Sequence, residues 1–193
     1  GGMAYYPTRN IALYAKWNPN WYTVKYDGNG ATSGSTASST HTYGVAKALT
    51  ANGFTKAYTV TYNTNGGSCS TASAIATYSF GGWATSASGN KVYDNGASVT
   101  NLTATANGVV TLFAKWSGGA VTLPTPTRTG YTFKGWSTSS TATSGSTGSY
   151  TATGNITLYA TWAVNTYTVA YNGNGHTAGS TASSSHTYGV AKT

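Results

Sequence analysis

The side chains that commonly carry catalysis are scarce in this sequence. Asp27 and Asp94 are the only acids among 193 residues, and glutamate is absent. Hydrolases that work by general acid and base need two carboxylates converging on one bond. Two isolated aspartates in Gly/Asn turns do not make that pair. His41 and His186 share one repeated position, each close to a tyrosine (Tyr43 and Tyr188). That repetition favours a structural hydrogen bond over a ligand or a base. His176 stands in a turn where the matching copy has Ala31. No spacing of Cys, His and acids resembles a metal site. An autocatalytic Lys–Asn isopeptide bond needs a buried acid to shuttle the proton, and acids are what the chain lacks. No catalytic, metal or cofactor-binding residue is therefore assigned, no cofactor is implied, and no enzyme activity is expected.

Cys69 is alone and reads as a small turn residue in Gly-Gly-Ser-Cys-Ser. Asn101-Leu-Thr103 and Asn155-Ile-Thr157 match the glycosylation sequon, but they sit at strand entries and such triplets occur often by chance. Net charge is +8 from eight lysines and two arginines. A nucleic-acid binder clusters its cations, whereas Lys16, Lys25, Lys115 and Lys134 lie singly on predicted strands. Solvated strand faces and edge protection account for them. The sharper alternative is weak attraction to anionic cell-wall polymers, glycans or membranes. No apolar run has the length of a transmembrane helix, and no signal peptide is visible.

The aromatic residues carry the information. Serine and threonine make up roughly a third of the chain, a composition that could signal disorder. Sixteen tyrosines and six tryptophans at repeating positions argue for folded β modules instead. Tyr22-Thr-Val-Lys-Tyr26 alternates with a period of two, the pattern of a half-buried strand, and Asp27-Gly-Asn-Gly30 supplies a tight turn. This opening strand returns at Tyr58 and at Tyr167. A closing strand, Asn10-Ile-Ala-Leu-Tyr-Ala-Lys-Trp17, returns at 111–116 and 155–162. A third signature is an aromatic-glycine-tryptophan corner, Tyr78-Ser-Phe-Gly-Gly-Trp83 and Tyr131-Thr-Phe-Lys-Gly-Trp136, whose glycine suits a bulge. Ala31–Thr40 reads as a mobile loop or wide hairpin tip, and His41–Leu49 as a strand running into a short helical turn.

Five tryptophans, Trp17, Trp83, Trp116, Trp136 and Trp162, fall on these signatures and are expected to anchor cores, together with Tyr22, Tyr58 and Tyr167. Trp21 belongs to no signature and is the candidate for an exposed contact, such as stacking on a sugar.

Residues 1–48 align without a gap onto 146–193, with about 30 of 48 pairs identical. Both termini fall inside a repeat, so the natural polypeptide is expected to extend further. The Tyr-Thr-Val-x-Tyr opening, the Thr127–Trp136 corner and the Leu158–Trp162 close resemble Listeria–Bacteroides repeats, modules of the internalin B B-repeat kind. The resemblance implies small β-grasp-like modules in tandem, in secreted or wall-anchored bacterial proteins, and it brings no catalytic residues.

The order of signatures is not a plain tandem. It suggests the end of a preceding module at 1–17, then module A in halves 18–57 and 117–162, with module B, 58–116, inserted between them. Residues 163–193 open the next module. The expected fold is thus all-β or mostly β, in tandem or nested repeats with at most short helical turns. The expected role is a non-enzymatic stalk, spacer or filament material, associating with itself or with neighbouring repeats. A carbohydrate- or cell-wall-binding adhesin module is the alternative.

Overall fold

The computed structural model describes residues 6–192. Among them there are strands and turns but no helix, so the fold is all-β. The opening strand β1 (Trp21–Asp27) buries Tyr22 and Val24 and turns Lys25 outward, as its alternation predicts. It pairs antiparallel with β3 (Ser39–Thr42). Between them the Ser/Thr-rich stretch contains the short β2 (Ser33–Gly34). Beyond β3, where a helical turn was expected, the chain makes a turn at Gly44 and a two-residue strand, β4 (Lys47–Ala48). Gly44 has φ +81°, a left-handed conformation that ends any helical run.

The second opening strand, β5 (Phe54–Asn63), turns back into β6 (Ser73–Ala84), and β7 (Ser98–Val99) follows. The first closing strand is β8 (Val109–Gly118). Then come β9 (Ala120–Thr122), the second corner strand β10 (Tyr131–Ser137), β11 (Ser149–Thr151) and the second closing strand β12 (Ile156–Val164). A third opening hairpin, β13 (Thr166–Val169) with β14 (Ser184–Thr187), ends the described chain. One sheet runs β10-β12-β5-β6-β8-β1-β3, with β2 attached to β5. The small ladders β4–β7 and β9–β11 place Leu49 and Val99 in one core, and Val121 and Ala152 in the other.

The pairing corrects the nested expectation. β1 lies parallel to β8, with Val24 opposite Val110, and β5 lies parallel to β12, with Val60 opposite Ile156. The two sets of signatures are therefore interleaved. The reason is β6, twelve residues long, which does two jobs. Ser73–Tyr78 is the return strand of the second opening hairpin, and Tyr78–Ala84 is the first corner, paired with β8. Since β5 and β8 flank β6 on opposite sides, they cannot touch, and each takes its parallel partner on its remaining edge.

Each corner strand contains a bulge, between Phe80 and Gly82 and between Phe133 and Gly135. Gly82 has φ +130°, and a Cβ there would lie 2.5 Å from the Tyr93 carbonyl oxygen. The bulge swings Trp83 and Trp136 into the two cores, where both are buried. Residues 10–17 form no strand, and Trp17, expected in a core, is 87% exposed. A closing strand is held between an opening strand and a corner strand in β8 and β12, and residues 10–17 have neither neighbour among the described residues.

This contrast predicts opposite outcomes for one substitution at two signature positions. Trp83→Ala is expected to cost about 3–5 kcal/mol in urea unfolding, the usual loss for a large aromatic deleted from a core. Trp17→Ala is expected to leave the midpoint unchanged, and a comparable loss there would place Trp17 in a core.

Candidate functional site

The most elaborate side-chain arrangement lies where each opening strand turns back beside its closing strand. In the first unit Asp27 Oδ1 accepts from Asn29 N–H at 2.7 Å, and Asn29 sits at φ +46°. Asparagine tolerates the left-handed region, and a carboxylate or amide two residues earlier locks the turn. Asn63 and Asn65 repeat the geometry at 2.9 Å and φ +48°. So fixed, the asparagine amide reaches across to the closing strand. Asn29 Nδ2 donates to the Ala114 and Ala87 carbonyls, both at 2.9 Å, and Asn65 Nδ2 to those of Ala160 and Ser140, both at 3.3 Å.

The closing strand answers in kind. Trp116 Nε1–H donates to the Gly28 carbonyl at 2.8 Å, and Trp162 Nε1–H to that of Thr64 at 3.0 Å. Turn and strand thus clasp each other by reciprocal hydrogen bonds. Beneath the clasp runs an aromatic series from opening strand to corner to closing strand. Tyr26 packs on Trp83 and Tyr62 on Trp136, with centroids 4.7 and 5.0 Å apart. Phe80 and Phe133 then meet Trp116 and Trp162 edge-on at 5.8 and 5.5 Å. A second side-chain tie joins the strands' other ends in the second unit, where Thr59 N–H donates to Asn155 Oδ1 at 2.8 Å.

The predicted residues fall into two groups. Tyr22, Trp83 and Trp136 are buried, while Tyr58, Trp116 and Trp162 are half-buried. Tyr167, predicted as a core anchor, is 51% exposed, because nothing covers the third hairpin among the described residues. Trp21 is 50% exposed on β1. The sequence reading missed Asn29 and Asn65 as clasp residues. Their signal was available in the Asx-x-Asn-Gly turn that follows all three opening strands. The two sequon asparagines are both engaged: Asn155 as above, and Asn101 accepts from Gly44 N–H at 2.6 Å.

The ionisable groups serve the fold. His41 is buried, its ring stacked on Tyr22 with centroids 5.4 Å apart and its Nε2 2.9 Å from Ser39 Oγ. Burial first, and the charge of Lys47 second, lower its pKa below the ordinary histidine value. Asp94 pairs with Lys91 at the surface. Among the described residues no three His, Cys, Asp or Glu side chains gather where a metal could be held.

The model of one family, the Listeria-Bacteroides repeat domain, matches the chain twice, over residues 74–115 and 116–161. The chain carries two repeats of this family. No curated protein and no solved structure matches it. Each matched segment holds a corner strand and most of a closing strand, while β1 and β5, which complete them, precede both segments.

Two outcomes follow for these side chains. Asn29→Gly keeps the left-handed turn but deletes the clasp, and about 1–2 kcal/mol of stability should go with it. The same change at Asn174, whose amide makes no such cross-strand bond among the described residues, should cost almost nothing. An equal loss at both positions would refute the clasp. For His41 the folded pKa lies below the unfolded one, so below about pH 6.5 the unfolded chain binds the extra proton. Stability should be full above that pH and fall on acidification until the lowered folded pKa is passed. Urea midpoints between pH 7.5 and 5 should show this decline, and His41→Gln should flatten it.

Proposed function

We propose that this chain is a non-enzymatic structural segment of a bacterial cell-surface or secreted protein, serving as stalk, spacer or filament material. The repeat family it carries is found in bacterial surface proteins. Among the described residues no helix is long and apolar enough to cross a membrane.

The observation that carries the reading is the interleaving. Each repeat is completed by a strand from outside its own segment, and β6 belongs to both cores. Repeats built this way cannot come apart singly, since removing one unstitches the edge of the next. That coupling between neighbours suits a load-bearing array. The chain's few polar specialists support the same reading. Asp27, the clasp asparagines and His41 are all spent on holding turns and hairpins in place.

One observation favours the carbohydrate-binding alternative, namely the half-exposed indole of Trp21 on β1. Electron microscopy of the protein recovered from its source without refolding is expected to show filaments or beaded strings. Compact separate particles, together with retention on polysaccharide that Trp21→Ala abolishes, would replace the structural reading with the binding one.

A further inference from the structure

Five of the chain's seven Asn-Gly pairs lie in its two complete units, at Asn29, Asn52, Asn65, Asn95 and Asn107. Such a pair has a reactivity of its own. The main-chain nitrogen after an asparagine can attack the side-chain Cγ and displace ammonia, and glycine, having no Cβ, shields that nitrogen least. Four of the five are held against this. Asn29 and Asn65 sit at positive φ, and each amide donates to two carbonyls across the clasp. Asn52 is bracketed by Phe54, its Nδ2 donating to that carbonyl and its Oδ1 accepting from that N–H, both at 3.0 Å. The next nitrogen is occupied too, since Gly53 N–H donates to Thr36 Oγ1 at 2.9 Å. Asn107 stands at φ +59°, and Gly108 N–H donates to the Thr105 carbonyl at 3.0 Å.

Asn95 differs on each count. It lies in the exposed turn 94–97, before Gly96 at φ +69°, and the Ala97 N–H closes that turn on the Asp94 carbonyl at a long 3.2 Å. Among the described residues neither Asn95 Nδ2 nor Gly96 N–H has a hydrogen-bond partner. Asn95 Oδ1, by contrast, accepts from Asn52 N–H at 2.8 Å. The space around the glycine differs as well. A Cβ on Gly96 would meet nothing within 4 Å, whereas on Gly30, Gly53, Gly66 and Gly108 it would lie 3.3, 2.2, 3.3 and 2.9 Å from a neighbouring atom.

We propose that Asn95–Gly96 is a site of spontaneous succinimide formation, through which the folded chain converts Asn95 to isoaspartate and aspartate. The weakly closed surface turn opens locally, and rotation of the main chain at Asn95 brings Gly96 N against Cγ. The N–Cγ bond forms and the Cγ–Nδ2 bond breaks. The proton of Gly96 N, passed through water, ends on the departing ammonia. Negative charge collects on Oδ1 in the tetrahedral intermediate, where Asn52 N–H already donates, so the bond that anchors the side chain also favours the step. Water then opens the ring. Breaking the new N–Cγ bond gives aspartate, and breaking the bond from Gly96 N to the main-chain carbonyl carbon gives isoaspartate. The second predominates, because the main-chain carbonyl is the more electrophilic. Water is the only co-reactant.

The two products differ in what they keep. Aspartate still offers Asn52 N–H a side-chain oxygen at the old place. In isoaspartate the carboxylate sits directly on Cα and the main chain gains a methylene, so the oxygen is drawn away and the bond is lost. That bond ties the turn to the entry of β5, where Phe54 packs on Trp83 with centroids 6.4 Å apart. The conversion therefore loosens this entry as the chain ages. Either product also places a new carboxylate beside Asp94 and lowers the net charge of +8 by one.

Peptide mapping of the full 193-residue protein, kept folded at mildly alkaline pH where the attacking nitrogen deprotonates more readily, tests this. Asn95 should lose ammonia at least about tenfold faster than Asn29 or Asn65, whose amides must first give up two hydrogen bonds each. It should also lead Asn52 and Asn107, and its product should be mainly isoaspartate. In urea, where no turn is held, the five sites should react at similar rates, which separates the effect of the fold from that of the Asn-Gly sequence. Asn95→Gln, whose longer side chain would have to close a larger ring, should abolish the acidic variant that isoelectric focusing shows in aged protein. An Asn95 that keeps its amide in the folded protein would overturn the proposal, as would equal rates at all five sites before unfolding. Either result leaves the stalk reading standing, because that reading rests on the interleaving of the strands.

Discussion

A β-strand has two edges, and the closing strands of this protein need both. β8 takes an opening strand in parallel on one side and a corner strand antiparallel on the other, and β12 does the same. Parallel neighbours cannot be joined by a tight turn, so the opening strand must come from far away in sequence. The corner strand, antiparallel, can come from close by. Once β6 serves as corner to β8 and as return strand to β5, no freedom remains: β1 and β12 can go only to the outer edges. The whole strand order follows from the double use of one strand.

The clasp makes that distant pairing specific. Period-two alternation on its own says which face is buried but leaves a strand free to slide by two residues along its partner. The asparagine amide and the closing indole remove that freedom, because both bonds form only when the turn lies level with the strand's end. Their reach depends on a backbone conformation that few residues adopt, which is why an asparagine stands at φ near +46° to +48° in all three turns. Each clasp replaces water on a carbonyl with a fixed donor, a modest gain per bond that matters chiefly for register.

Local features were legible in the sequence because they depend on local chemistry. Alternation gave β1 and β5 their buried tyrosines and valines, and the glycine before Trp83 and Trp136 marked the bulges. The family match spans both corners, though neither β1 nor β5. Partner choice was illegible for a physical reason: β8 and β12 carry nearly the same closing motif, so neither composition nor period distinguishes which one β1 will meet. The nested expectation failed there. Trp17 and Tyr167 show the same limit from another side. A motif states what a strand can bury, and whether it does so depends on neighbours that the motif does not contain. The expected helical turn after His41 failed for a simpler reason, since Gly44 takes a left-handed conformation and sends the chain into β4.

The two cores solve one packing problem with unequal polar satisfaction. Trp136 Nε1–H donates to the Pro124 carbonyl at 2.7 Å, whereas the equivalent indole of Trp83 is buried with no protein acceptor. The segments that face them differ. In the second core the indole takes the Pro124 carbonyl, whereas in the first core the Thr50 N–H, a donor that proline lacks, binds Tyr26 Oη at 2.7 Å. His41 Nδ1 is a second buried atom without a protein partner on the same side. Each such atom costs about 1–3 kcal/mol if left dry. The first core offsets this with a denser aromatic enclosure, since Tyr26, Phe80 and Phe54 surround Trp83 at 4.7, 4.8 and 6.4 Å. Because β6 runs through both cores, the better-satisfied second one also supports the first: unfolding the first core must release the strand that the second holds. Interleaving therefore lets a repeat with imperfect polar pairing persist beside a neighbour that pairs its corner indole fully.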